Sequence, residues 1–153
     1  MLFRSVPLKP TFDPQNLTVS GAGRALDMSP HGANNINARL SIGDAVALTS
    51  LDVKMQAAPD DGTGSPGSWA DIPGAAFTQV TTDPGTNGLV DQIITFKMPP
   101  PLTLSSSPYI WLRAYATLVG TSILICVTIF ASRRYDGNAC NNNAPGNNNN
   151  IIN

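Results

Sequence analysis

An all-β fold is what this sequence predicts: a single β-sandwich, jelly-roll or immunoglobulin-like, of about eight strands with extended N- and C-terminal arms. Three observations predict it. Apolar and polar residues alternate with period two over 35–42 and again over 51–56, as in strands with one face on a core and one in water. Thirteen glycines and thirteen prolines divide the chain into short runs. The uncharged stretch 114–131 is rich in β-branched residues, which suit a pleated backbone better than a helix. At 153 residues the chain is the size of one domain and long enough to bury a core without disulfide or metal support. It divides into an N-terminal arm (1–15), a sandwich (16–137) and an Asn-rich C-terminal arm or tail (138–153).

The elements follow in order. Asn16–Ser20 and Arg24–Met28 flank Gly21-Ala22-Gly23, a turn signal that predicts a hairpin. In the next run Ile36, Ala38, Leu40 and Ile42 fall on one side, with Asn37, Arg39 and Ser41 on the other. Between Ala45 and Ala57, Leu51, Val53 and Met55 alternate with Asp52, Lys54 and Gln56; this is the strongest strand signal of the first half. Pro59–Ser68 is so full of turn formers that a long exposed loop is expected. Trp69–Val80 reads as a short strand, a Pro73-Gly74 turn and a second strand that sends Phe77 and Val80 to the core. Leu89–Met98 reads as a strand carrying Ile93, Ile94, Phe96 and Met98, stopped by Pro99, Pro100 and Pro101.

Ala114–Ala131 holds eighteen uncharged residues, the length of a membrane span. Arg113 would lie inside such a span, and Gly120-Thr121-Ser122 signals a turn at its middle. Two paired, doubly buried strands forming a hairpin are therefore expected, ahead of a membrane helix or a buried soluble one. Asn138–Asn153 has too little apolar surface to fold alone.

Charged residues make up 12% of the chain and the formal net charge is −1, about half the charge density of an ordinary domain. The longest basic run is Arg133-Arg134, so the electrostatic footprint of a nucleic-acid binder is missing. So little charge leaves a lone monomer prone to associate, and an assembled state is expected. Met1–Pro10 lacks the roughly seven uninterrupted apolar residues of a secretory signal, which predicts a protein that stays in the cytoplasm where it is made. Cys126 and Cys140 are then read as free thiols, and the acceptor-like Asn16-Leu17-Thr18 as unmodified.

Catalysis needs convergent titratable groups. The single histidine, His31, stands in a Ser-Pro-His-Gly turn without a second ligand or carboxylate nearby. No enzyme activity, cofactor or metal is expected. Asp60-Asp61-Gly62 lacks the alternating ligands and closing Glu of a calcium loop, and Gly62–Gly67 lacks the Lys and helix of a phosphate loop. Trp69 and Trp111 suit a core or an interface better than a sugar-stacking site.

Taken in order, Leu51–Gln56, Ser68–Val80, Tyr109–Ala114 and Ser132–Gly137 resemble a group of small tailed-bacteriophage virion structural proteins of the capsid decoration, or cement, type. The likeness covers about Ala45 to Gly137. In the usual pattern the loop before the Trp is shorter and the chain ends soon after the Arg-Arg-Tyr motif, so the Pro-rich loop and the Asn-rich tail are departures. The resemblance implies a structural protein on the capsid exterior that binds and stabilises the major capsid protein lattice, touches neither nucleic acid nor membrane, and associates with itself as a homotrimer. Candidate subunit-interface residues are Phe3, Arg4, Val6, Leu8 and Phe12 of the N-terminal run; Trp69; Arg133, Arg134 and Tyr135; and Ile151 and Ile152 at the end of the tail. Two rivals are a tail or neck component and a module that binds host glycans through Trp69 or Tyr109.

Overall fold

The computed structural model describes residues 5–7, 10–29, 35–85, 89–99 and 108–132. They form ten strands: β1 (Ser5–Pro7), β2 (Phe12–Leu17), β3 (Gly21–Ala22), β4 (Leu26–Asp27), β5 (Asn35–Val46), β6 (Ser50–Pro59), β7 (Ala70–Ala76), β8 (Val90–Phe96), β9 (Tyr109–Val119) and β10 (Ser122–Ser132). No helix occurs among the described residues, and none is long and apolar enough to cross a membrane.

The strands make two antiparallel sheets. In the first, β10 carries β1 and β2 in tandem on one edge and β5 on the other, with β8 beyond β5. The second repeats the plan, with β3 and β4 in tandem on β9, then β6, then β7. Counting each tandem pair as one broken strand leaves eight, in the orders 1-8-3-6 and 2-7-4-5. Partners 1·8, 2·7, 3·6 and 4·5 are those of one long hairpin rolled up on itself, which is a jelly roll.

Alternation places the core. Ile36, Ala38, Leu40 and Ile42 of β5 and Ile123, Ile125, Val127 and Ile129 of β10 point inward from the first sheet. Facing them are Leu51, Val53, Met55 and Ala57 of β6 and Leu112, Ala114 and Ala116 of β9. Branched aliphatics on one sheet thus meet a seam of alanines on the other, the large-against-small packing that fills an inter-sheet space.

Side chains also clip both open sides. On one side, buried Thr11 lies beside the gap between β3 and β4, where its Oγ1 accepts the Ala114 N–H (3.1 Å) and donates to the Arg24 carbonyl (2.8 Å). Its own N–H goes to Val127 of the first sheet (2.9 Å). On the other side, the Gln92 amide of β8 brackets the Thr78 backbone, accepting from its N–H (2.7 Å) and donating to its carbonyl (3.0 Å).

Several expectations are corrected. Asn16–Met28 is not a two-strand hairpin of one sheet: β2 belongs to the first sheet and β3 and β4 to the second, because Leu17 and Leu26 are buried against different central strands. The alternating run from Ala45 is broken at Ala47–Thr49, where the chain passes from β5 to β6, again between sheets. Pro73-Gly74 is no hairpin turn but part of a bulge within β7, opposite the step from Lys54 to Gln56, that buries both Ile72 and Ala75. Phe77 and Val80 do reach the core.

The 109–131 segment is two strands as expected, but β9 and β10 do not pair with each other. They lie in opposite sheets and are buried mainly on their inner faces, because each supplies one wall of the same core. The described part of segment 1–15 also differs from a free arm. β1 and the start of β2 pair with β10 of the same chain.

Candidate functional site

The outer face of the second sheet carries a connected cluster of aromatic and polar side chains. Alternation on β9 that sends Leu112, Ala114 and Ala116 inward leaves Trp111, Arg113 and Tyr115 outward and partly exposed. β6 contributes Lys54 and Gln56 on the same face, opposite Tyr115 and Arg113 in register. β7 adds Asp71 opposite Gln56, and Trp69 just before it.

These groups are tied together. The Arg113 guanidinium lies 4.1 Å from the centre of the Trp69 ring, a cation–π stack, while its Nε donates to Gln56 Oε1 at 2.9 Å. Gln56 Nε2 in turn donates to Asp71 Oδ1 at 2.8 Å, and Lys54 Nζ pairs with Asp71 Oδ2 while standing 5.9 Å from the Tyr115 ring centre. Trp111 Nε1 makes a longer contact of 3.4 Å to Asp60 Oδ2. Arg113 is thereby held on its flat face by an indole and on its edge by an amide, so little side-chain freedom is left to lose on docking.

Electrostatics follow the contacts. Hydrogen bonds from Lys54 first, and then from Gln56, hold the Asp71 carboxyl below its ordinary value. Partial burial lowers the Arg113 pKa, yet a guanidinium remains charged at neutral pH. The face therefore pairs a fixed cation with a fixed anion beside three aromatic rings.

Elsewhere the surface is plainer. Asp60 and Asp61 close their loop on itself, accepting the backbone N–H groups of Gly62 (2.7 Å) and Thr63 (2.8 Å). Among the described residues no group of three or more His, Cys, Asp or Glu is placed to hold a metal ion. Cys126 is a free thiol on the outer face of the first sheet, 3.7 Å from Thr128 Oγ1.

Of the residues expected at an interface, Trp69 is on this face. Phe12 is instead 2% exposed in the core, where its ring packs between the sheets of its own chain. Val6 pairs with Ala131 in the first sheet. Phe3, Arg4, Leu8, Arg133, Arg134, Tyr135, Ile151 and Ile152 lie outside the described residues, as do His31 and Cys140. Tyr109 packs partly against the core, turned by the register shift that sets Pro59 opposite it. Arg113, Gln56 and Asp71 were not singled out by sequence reasoning. The signal was there for Arg113 and Gln56, since alternation puts both opposite the inward-facing rows, but their adjacency depends on strand pairing.

No protein-family model matches this chain, and no curated protein sequence aligns with it significantly.

Proposed function

We propose that this chain is a non-catalytic structural subunit of a tailed-phage particle, a decoration protein that seats the outer face of its second sheet on the major capsid protein lattice. The observation that carries the proposal is the Trp69–Arg113 stack braced by Gln56. Trp, Tyr and Arg are the residues on which protein interfaces concentrate their binding energy, and a rigid aromatic anchor loses little entropy on docking.

Two further points support it. Three of the four segments that resemble phage structural proteins, Leu51–Gln56, Ser68–Val80 and Tyr109–Ala114, are the segments that build this face. The jelly roll is, by analogy of architecture, a recurrent fold of viral capsid domains.

Glycan binding has less support. Arg113 occupies one face of the Trp69 ring and Tyr109 is turned toward the core, so neither offers the open ring pair that sugar stacking uses.

Cryo-electron microscopy of particles containing this chain tests the proposal. The expected result is density on the capsid exterior, in hundreds of copies rather than the few or dozens of a tail or neck part, with Trp69 and Arg113 at the contact. Trp69→Ala and Arg113→Ala should each reduce capsid retention by about tenfold or more while leaving the β-sheet circular dichroism unchanged. Density confined to the tail, or full retention by both variants, refutes it.

A further inference from the structure

We propose that β8 is a self-complementary docking edge, pairing antiparallel with β8 of a second copy of this chain about a two-fold axis through Ile94. An exposed sheet edge is a row of unpaired backbone donors and acceptors that recruits another strand unless something blocks it. Three of the four edges here are blocked. The β1–β2 edge is interrupted and carries Pro7 and Pro14; the β3–β4 edge consists of two two-residue strands; and β7 is bulged at Pro73-Gly74. β8 has none of these devices. It contains no proline or glycine, and its register runs without a shift from Ile36 opposite Phe96 to Ile42 opposite Val90. Among the described residues its outer edge has no backbone partner.

What selects a second copy as the occupant is charge complementarity. The run Val90-Asp91-Gln92-Ile93-Ile94-Thr95-Phe96-Lys97 has a carboxylate near one end and an ammonium at the other. Antiparallel pairing centred on Ile94 sets Asp91 opposite the partner's Lys97 and Lys97 opposite the partner's Asp91. In a continuous sheet facing residues must share a face, so the register moves only in steps that slide one strand by two residues. Either neighbouring register loses both ion pairs. The chosen one also covers apolar surface, for Ile93 is 70% and Leu89 64% exposed. They come to lie against the partner's Thr95 and Pro99. Asp91 is already held by Arg39 and Ser41 of its own chain, so it is presented in one fixed orientation.

This edge lies in the other sheet from the Trp69–Arg113 face, and the inference does not depend on the particle assignment. The predicted assembly is a two-fold dimer with one continuous eight-stranded sheet, counting each broken strand once, rather than the trimer that the resemblance implies.

The test is the mass of the full chain in solution by sedimentation or light scattering. The wild type is expected at twice 16.1 kDa. Lys97→Asp sets like charges opposite each other at two symmetric positions and should weaken the dimer by about tenfold or more; Asp91→Lys should do the same. Mixed in equal amounts, the two variants regain both ion pairs and should form a heterodimer as tight as the wild type. Lys97 is exposed, so Lys97→Asp remains informative should Asp91→Lys fail to fold. A wild-type monomer at the highest concentration reached, a trimer, a dimer indifferent to Lys97→Asp, or a mixture of folded variants that stays monomeric would each overturn the proposal.

Discussion

Thr11 Oγ1 accepts the backbone N–H of Ala114 at 3.1 Å, filling from outside the gap between β3 and β4. The same hydroxyl donates to the Arg24 carbonyl, and the Thr11 N–H belongs to Val127 of the opposite sheet. One buried threonine therefore closes a side of the sandwich.

Thr11→Val keeps the shape of the side chain but removes its oxygen. Ala114 N–H then loses its partner at a buried site and Arg24 C=O at a part-buried one. The expected loss is about 1–3 kcal/mol of stability, measured by urea unfolding, with Thr11→Ser retaining most of the wild-type value.

Gly23→Ala attacks the same closure from the other strand. A Cβ at Gly23 would stand 2.4 Å from the Thr11 carbonyl oxygen and 2.6 Å from Oγ1. The nearest obstacle is backbone, so the two edges must separate. A destabilisation of about 1–3 kcal/mol is expected, non-additive with Thr11→Val because both act on one junction. Thermal unfolding of the single and double variants checks both points.

The Trp69–Arg113 stack should show as a coupling energy. In a double-mutant cycle with Trp69→Ala and Arg113→Ala, about 0.5–1 kcal/mol of favourable interaction is expected for a partly exposed cation–π pair. Global stability should change little, since this face is outside the core. A coupling of zero would show that the stack adds nothing to stability.

Acid should destabilise the fold from the carboxylate side. Hydrogen bonds from Lys54 to Asp71, from Arg39 to Asp91 and from Thr63 to Asp61, the largest cause in each case, depress these carboxyls below their ordinary 3.8. A carboxyl lowered on folding adds stability that is complete above its unfolded pKa and is lost as the pH falls through its folded one. Urea midpoints should therefore drop below about pH 4, and Asp71→Asn should flatten that decline. All three groups are exposed, so each contribution is modest.

The strand content was legible because period-two alternation depends only on which residues shun water. Ile36–Ile42 and Leu51–Met55 could be assigned to inward rows without knowing what they face. The uncharged 114–131 stretch was legible as strands for the same local reason, its β-branched residues. Its partners were not, because a Gly-Thr-Ser turn can join strands of one sheet or carry the chain between two. The rolled-up order was decided by burial: only with β9 and β10 in opposite sheets do Leu112, Ala114 and Ala116 meet Ile123, Ile125 and Val127 across one interior. The candidate site divides likewise. Trp69 drew notice as a large aromatic suited to a core or an interface, but Arg113 lies 44 positions further along and was brought over its ring only when β9 and β7 took opposite sides of β6.

Sequence by itself determined an all-β chain, its inward rows and the poverty of titratable groups, since these are properties of composition and of near neighbours. Tertiary structure alone decided the jelly-roll wrapping, the Thr11 and Gln92 clasps, the Trp69–Arg113 face and the β8 edge, unpaired among the described residues. Each of those joins residues distant in sequence, and which distant residues meet is set by the one arrangement that buries every apolar row while leaving its backbone hydrogen-bonded.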